Sequence, residues 1–202
     1  MVKTYSVKKN GSLKLSNNFT VKEFACKDGS DTVLIDSALV DLLQKIRDHF
    51  GKPITINSAY RNATYNKKIG GVSNSQHVYG TASDIVVQGV KPEEVAKYAE
   101  YLMPKTGGIG LYSNFTHVDV RSNRSRWKNF GKEIVVSGFP GYSEPKVKLE
   151  SGNDIVYELM NGQYKIDIND AQRAIKALDK AKKDEEYLPL YWMIYKIVNK
   201  ER

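Results

Sequence analysis

The sequence predicts a protein of the α+β class, because segments with helical spacing and short strand-like segments are interleaved along the chain. Apolar residues recur at helical spacing after Asp36 and again after Pro92. Short runs rich in β-branched residues begin at Ile54, Asp84 and Phe115. Helices and strands therefore both contribute to the predicted core.

The first predicted helix follows a polar lead-in over residues 1–34 that contains strand-like pieces. Asp36 and Ser37 supply the side-chain oxygen atoms that cap a helix N-terminus. The helix ends at Gly51 and Pro53, which cannot readily continue it. Its buried stripe consists of Leu39, Leu42, Leu43, Ile46 and Phe50.

The rest of the predicted domain alternates strands with one further helix. Residues 60–83 are polar and irregular, and so long a stretch in a compact domain is usually functional or disordered. The second helix begins at Pro92, with Val95, Ala96, Ala99 and Leu102 inward, and Gly107-Gly108 breaks it. The predicted strands are 54–58, 84–87, 115–120 and 134–136.

A change in composition divides the chain into a domain over 1–138, a Gly/Pro linker over 139–150 and a small helical unit over 151–202. Residues 151–202 carry nine basic and nine acidic side chains, so the net charge of +8 belongs to residues 1–150. The neutral tail argues against a DNA-binding helix–turn–helix. We expect no nucleic-acid partner, and a monomer.

The single cysteine, Cys26, excludes an intrachain disulfide and is expected to be a small core residue. No apolar run approaches the ~18 residues of a membrane span. The N-terminus lacks the apolar segment of a signal peptide. We therefore expect synthesis in the cytoplasm and, for any external role, another route of release.

Two of the three histidines lie beside carboxylates. His77 precedes Asp84 by seven residues, with Gly80 allowing the chain to turn between them. His117 and Asp119 share one face of a predicted strand, because side chains two residues apart point the same way. Two imidazoles and a carboxylate, His77, Asp84 and His117, suit a catalytic zinc with one open position. The same set also suits non-haem iron.

The sequence around these residues resembles the zinc D-alanyl-D-alanine carboxypeptidase and L-alanyl-D-glutamate endopeptidase family of peptidoglycan peptidases. The metal motif is residues 77–84, His-Val-Tyr-Gly-Thr-Ala-Ser-Asp, followed by His-Val-Asp at 117–119. Ser-Ala-Tyr-Arg-Asn at 58–62 and Gly-Gly-Ile-Gly-Leu-Tyr at 107–112 also match, within a resemblance that covers about 15–137. The resemblance implies the hedgehog/DD-peptidase fold, an antiparallel sheet flanked by helices.

The resemblance makes His77, Asp84 and His117 the ligands of Zn²⁺. Many members carry an acid three residues before the last histidine, but Asn114 occupies that place here and cannot accept a proton. Asp119 is therefore the predicted catalytic base, with orientation of a ligand histidine as its rival role.

Further side chains are expected to contact substrate. Arg61 resembles the family's cation that holds the substrate or stabilises the oxyanion. The predicted cleft-lining residues are Ser75, Tyr79, Tyr112 and Trp127. The basic segment Arg121, Arg124, Arg126, Lys128 and Lys132 is either a solvated edge or a site for anionic wall polymers. Glu133 lies beyond this segment, with no spacing that gives it a role.

Together these features predict a zinc endopeptidase that cuts peptidoglycan stem peptides. The expected lack of a signal peptide fits a phage or prophage lysin that is released from the cell by a membrane-permeabilising partner. Non-classical export is the other route. Two alternative functions stay open, a D-Ala-D-Ala carboxypeptidase and a zinc-bearing wall-binding module that has lost catalysis. The substitution at Asn114 is the feature that supports the second alternative.

Overall fold

A computed structural model describes residues 1–142 of the chain. The predicted helical unit over 151–202 and most of the predicted linker lie outside the described residues. Within 1–142, no helix combines the length and hydrophobicity needed to cross a bilayer.

The described part is an α+β fold, as predicted from the sequence. Its strands are β1 (Val2–Ser6), β2 (Thr32–Asp36), β3 (Ile54–Ser58), β4 (Ala82–Val87), β5 (Gly108–Tyr112), β6 (Thr116–Asp119), β7 (Ser125–Asn129) and β8 (Glu133–Val135). Its α-helices are α1 (Val7–Asn10), α2 (Ser37–Phe50), α3 (Ala63–Lys68) and α4 (Pro92–Leu102), and a 3₁₀ helix spans Val21–Phe24. Cys26 is buried, as expected.

The two longest helices begin where the sequence indicates, and α2 also ends there, whereas α4 ends at Leu102, before the Gly107-Gly108 pair that was expected to break it. The Asp36 carboxylate accepts a hydrogen bond from the Ala38 amide, and Gly51 ends α2 in the left-handed conformation. Pro92 occupies the first turn of α4. Leu43 and Ile46 of α2 are fully buried, which shows that the apolar stripe faces the core.

Strands β1 and β2 form an antiparallel pair, and the other six form one sheet in the order β3-β4-β6-β5-β7-β8. All neighbours in this sheet are antiparallel except β5 and β7, which run parallel. The expectation of a wholly antiparallel sheet is therefore corrected at this one pair. After β6 the chain crosses the N-terminal end of β5. It then runs along the edge of β5 that faces away from β6, where it forms β7.

The six-stranded sheet has one face toward the core and one toward solvent. Ile85, Ile109 and Val118 are buried in the core, which α2 and α4 complete. On the other face the strand register places one residue from each strand side by side. This transverse row is Ser58, Asp84, His117, Gly110, Trp127 and Val135.

Candidate functional site

His77, Asp84 and His117 meet on the outer face of the six-stranded sheet. Asp84 and His117 are paired neighbours on β4 and β6, and His77 reaches them from the turn before β4. Each offers one ligand atom, and these atoms all lie within 4.8 Å of one another. All three residues are buried, and they line a cavity of about 430 Å³.

One oxygen of Asp84 is the centre of this cluster. Asp84 Oδ1 lies 3.3 Å from His77 Nε2 and 2.9 Å from His117 Nδ1. Burial by itself would raise the pKa of Asp84, but its hydrogen bonds to His117 and His77 hold the pKa below its usual value. The carboxylate is therefore ionised at neutral pH and suited to a cation.

In each histidine, the ring nitrogen that faces away from Asp84 (the outer nitrogen) is hydrogen-bonded to an oxygen acceptor. His77 Nδ1 lies 2.6 Å from the carbonyl oxygen of Ala59, and His117 Nε2 lies 3.1 Å from Asp119 Oδ2. When each of these nitrogens carries the proton, His77 Nε2 and His117 Nδ1 present lone pairs to the cluster. Such outer hydrogen bonds are the usual support of metal-binding histidines, so the donor set fits a divalent metal.

The electrostatics of His117 also fit a cation. Burial lowers the pKa of His117, but hydrogen bonds to Asp119 and Asp84 outweigh it and raise the pKa to about 9. The two carboxylates therefore favour a positive charge between them. In contrast, burial lowers the pKa of His77 and its contact with Asp84 only partly opposes this, so His77 is a neutral imidazole.

Asp119 is placed behind His117 and away from the cavity. Its exposed fraction is 0%, and it is not among the cavity-lining residues. Its carboxylate accepts hydrogen bonds from the Gly108 amide at 3.0 Å and from the Arg121 guanidinium at 2.5–3.0 Å. Burial would raise its pKa, but His117 and Arg121 lower it.

This placement disagrees with the predicted base role of Asp119, because a base must reach the proton it removes. The prediction that His117 and Asp119 share a strand face is correct. The carboxylate lies close to the sheet because Gly108 on β5 leaves room for it: a Cβ at Gly108 would stand 2.1 Å from Asp119 Oδ2. The contacts favour the rival role, orientation of His117.

Arg61 lies directly beside the cluster. Its Nη2 donates to Asp84 Oδ2 at 2.6 Å, and its Nε donates to Ser58 Oγ at 2.8 Å. The Arg61 amide also donates to the His77 carbonyl at 3.1 Å. The segment 58–61 thus supports the turn that carries His77 as well as placing a guanidinium on the cavity wall.

The cavity wall includes three of the four side chains predicted to line it, Ser75, Tyr112 and Trp127. Tyr79 is the exception: it is 49% exposed and lies outside the cavity, because it is in the turn next to Gly80 and points to solvent. The Trp127 indole donates to Tyr112 Oη at 3.2 Å, and its ring lies 5.1 Å from the His117 ring.

Several residues that line the cavity were not predicted from the sequence to do so, among them Arg121 and Glu133. Phe115 stacks on Tyr112, with ring centroids 4.2 Å apart. Register could have identified Glu133, since it pairs with Asn129, which pairs with Tyr112. That register was hidden because neither β7 nor its parallel pairing was predicted.

Three of the five basic side chains of the segment 121–132 are paired with carboxylates within the described residues. Arg124 and Arg126 both contact Glu100, and Arg121 contacts Asp119. The Arg126 side chain is 0% exposed and also donates to the carbonyls of Met103 and Gly107. The segment therefore presents less free charge to an anionic polymer than its composition indicates.

Gly80 shapes the turn between His77 and Asp84. Its φ is +72°, and a Cβ there would stand 2.4 Å from the Leu34 carbonyl oxygen. We expect Gly80→Ala to lower the free energy of unfolding by about 1–3 kcal/mol, measured by urea titration. Gly89 has a φ of +74° and no atom within 4 Å of such a Cβ, so Gly89→Ala isolates the backbone strain. Equal losses in the two variants would show that the contact with Leu34 is unimportant.

Comparison with known proteins agrees with this geometry. The family model described as Peptidase M15 matches residues 17–119. The chain is 48% identical over 52 residues to the zinc D-Ala-D-Ala carboxypeptidase of Streptomyces albus G, covering 24% of this chain and 20% of that protein. It is 33% identical over 94 residues to the peptidoglycan L,D-endopeptidase MepK of Escherichia coli K12, covering 42% and 50%.

The same identity and coverage are found for the MepK protein of Shigella flexneri. The chain thus spans half or less of the length of these relatives. The family match covers more than half of the chain, from before the 3₁₀ helix to the end of β6. This chain belongs to the Peptidase M15 family.

Proposed function

We propose that the protein is a zinc metallopeptidase that hydrolyses amide bonds in the stem peptides of bacterial peptidoglycan. The observation that carries the proposal is the convergence of His77, Asp84 and His117 on one cavity, with the outer nitrogen of each histidine bound to an oxygen. The name of the Streptomyces relative supports zinc, and the name of the MepK relatives supports peptidoglycan as the substrate.

In this proposal His77 Nε2, Asp84 Oδ1 and His117 Nδ1 hold the zinc. Zinc held by these residues would polarise the scissile carbonyl and lower the pKa of water toward ~7. Arg61, fixed by Ser58 and Asp84, supplies positive charge beside the cluster and stabilises negative charge that develops on the substrate. Trp127 and its neighbours Tyr112 and Phe115 give the cavity an aromatic wall.

An endopeptidase is favoured over a carboxypeptidase. The similarity to the L,D-endopeptidase extends over 94 residues, against 52 for the D-Ala-D-Ala carboxypeptidase. The longer match supports this preference, and the higher identity of the shorter match, 48% against 33%, keeps the carboxypeptidase as the alternative.

A second candidate function is a wall-binding module that holds zinc without cutting. The supporting observation is that, among residues 1–142, no carboxylate lies where a base is expected: Asn114 is an exposed amide, and Asp119 is buried. Glu133 does line the cavity, but β8 is three strands from β6 in the sheet. At ~4.8 Å per strand this is roughly 14 Å of backbone separation, which suits contact with a substrate side chain better than with water at the metal.

Digestion of purified peptidoglycan separates these functions. We expect the zinc-loaded protein to release fragments whose masses, read by mass spectrometry, show cleavage inside the stem peptide. Loss of a single terminal D-Ala would indicate a carboxypeptidase instead. The zinc-stripped protein is the control. Sedimentation with peptidoglycan and no released fragment would contradict the peptidase proposal and support the binding module.

The remaining predictions concern partners and location. Binding of anionic wall polymers by the segment 121–132 stays a prediction. Within residues 1–142, its lysines Lys128 and Lys132 form no salt bridge, whereas each of its three arginines contacts a carboxylate through part of its guanidinium. The monomeric state, release as a phage-type lysin and non-classical export stay predictions.

A further inference from the structure

Arg121 has no role in the proposed hydrolysis, yet it is fixed at the wall of the same cavity. It lies two residues after the end of β6, and its side chain is 31% exposed. Its Nε and Nη2 donate to both oxygens of Asp119. Its guanidinium carbon lies 5.8 Å from the centre of the Trp127 ring. These contacts orient the group before any ligand arrives.

Part of this guanidinium is still available for binding. Within residues 1–142, Arg121 Nη1 makes no hydrogen bond, whereas Nε and Nη2 are both engaged by Asp119. The other two arginines of the segment do not share this position. Arg126 is enclosed by Glu100 and backbone carbonyls, and Arg124 is bound to Glu100 outside the cavity.

The two cavity arginines lie at opposite ends of one hydrogen-bonded series. Arg61 contacts Asp84, Asp84 contacts His117, His117 contacts Asp119, and Asp119 contacts Arg121. Arg61 thus contacts the Asp84 carboxylate directly, and Arg121 is separated from it by the His117 imidazole and the Asp119 carboxylate. The anionic group of a ligand bound to Arg121 would therefore lie beside the reacting bond and not at the metal-binding residues.

We propose that Arg121 binds a free carboxylate of the substrate next to the scissile amide bond, an inference that rests on the proposed function. A planar guanidinium matches the two oxygens of a carboxylate, and it is less strongly hydrated than an ammonium group. A peptide stem with a free carboxylate beside the scissile bond would present such a group to Arg121. Arg121 would then fix the register of the substrate relative to His77, Asp84 and His117.

The test compares two synthetic stem-peptide fragments. One has a free carboxylate next to the scissile bond, and the other has that carboxylate converted to a carboxamide. The dissociation constant of each fragment is measured by calorimetry with the zinc-loaded protein and with Arg121→Gln. A hydrogen-bonded charge pair contributes about 1.5–3 kcal/mol, so we expect the wild type to prefer the carboxylate by about 10- to 100-fold. Arg121→Gln should bind the two fragments about equally.

Arg124→Gln is the matched control, because it removes an arginine of the same segment that lies outside the cavity. It should keep the wild-type preference. If Arg121 acts only by holding Asp119, then Arg121→Gln will weaken zinc binding and affinity for both fragments alike, with the preference unchanged. That result, or failure of the wild type to bind either fragment, would overturn the proposal.

Hydrolysis of both fragments is followed in parallel. If the wild type binds the fragments with the expected preference and cuts neither, the peptidase proposal fails and the assignment of Arg121 survives. If it cuts both at equal rates and binds both equally, the peptidase proposal survives and the assignment of Arg121 fails.

Discussion

Replacing His117 with alanine is expected to remove nearly all zinc from the protein. His117 is one of three donors within 4.8 Å of one another, and its Nδ1 lies 2.9 Å from Asp84 Oδ1. Loss of a ligand should cost more than the ~10–100-fold that follows loss of a group that only supports a ligand. Peptidoglycan hydrolysis should fall to the level of the zinc-stripped protein.

The measurement is metal analysis after dialysis against a buffer of fixed free zinc. His49→Ala is the matched control, because His49 lies on α2 outside the cavity and is exposed. That variant should retain about one zinc per chain. Full zinc occupancy in His117→Ala would show that His117 is not a ligand, and the circular dichroism spectrum checks that the variant is folded.

Asp119→Asn is expected to weaken zinc binding by about 10–100-fold. Within residues 1–142, every hydrogen-bond partner of the Asp119 carboxylate is a donor: the Gly108 amide, the Arg121 amide and guanidinium, or the His117 ring. An asparagine must turn its NH₂ group toward one of these donors. Where that group faces His117 Nε2, it favours a proton on Nδ1, and the nitrogen that faces Asp84 then has no lone pair for a metal.

The two roles of Asp119 separate when zinc content and rate are measured together over a range of free zinc. Excess zinc should restore most of the activity of Asp119→Asn if Asp119 orients His117. A fall in turnover of about 10²–10⁴-fold with zinc fully bound would instead identify Asp119 as the base. Asp41→Asn, a change at an exposed carboxylate on α2, should leave both quantities unchanged.

The parts of the fold that the sequence predicts well are those determined by neighbours in sequence. The ends of α2 follow from a capping oxygen at Asp36 and the left-handed Gly51. Helix α3 was missed because it has six residues and only Asn66 is buried, so it has no apolar stripe to detect. Strand β7 was missed because its buried position is Arg126, whose charge is neutralised by Glu100 from α4.

In the candidate site, too, the features set by neighbours in sequence were predicted and those set by other strands were not. Residue types and the family resemblance were enough to select His77, Asp84 and His117. The two-residue period of a strand correctly placed His117 and Asp119 on one face, but it cannot determine which side chain reaches the cavity. That depends on the neighbouring strand, where Gly108 makes room for the Asp119 carboxylate. Such cross-strand information is absent from a single stretch of sequence.

The transverse row across the outer face of the sheet has a consequence for folding kinetics. Asp84, His117 and Trp127 come from three different strands, and the partner of Asp84 on β3 is Ser58. Contacts between residues so distant in sequence form late, because the intervening loops must close first. A partly folded chain that lacks β6 has one imidazole fewer and no complete donor set. Tight zinc binding should therefore follow assembly of the sheet. Zinc would then stabilise the folded state and would not nucleate folding.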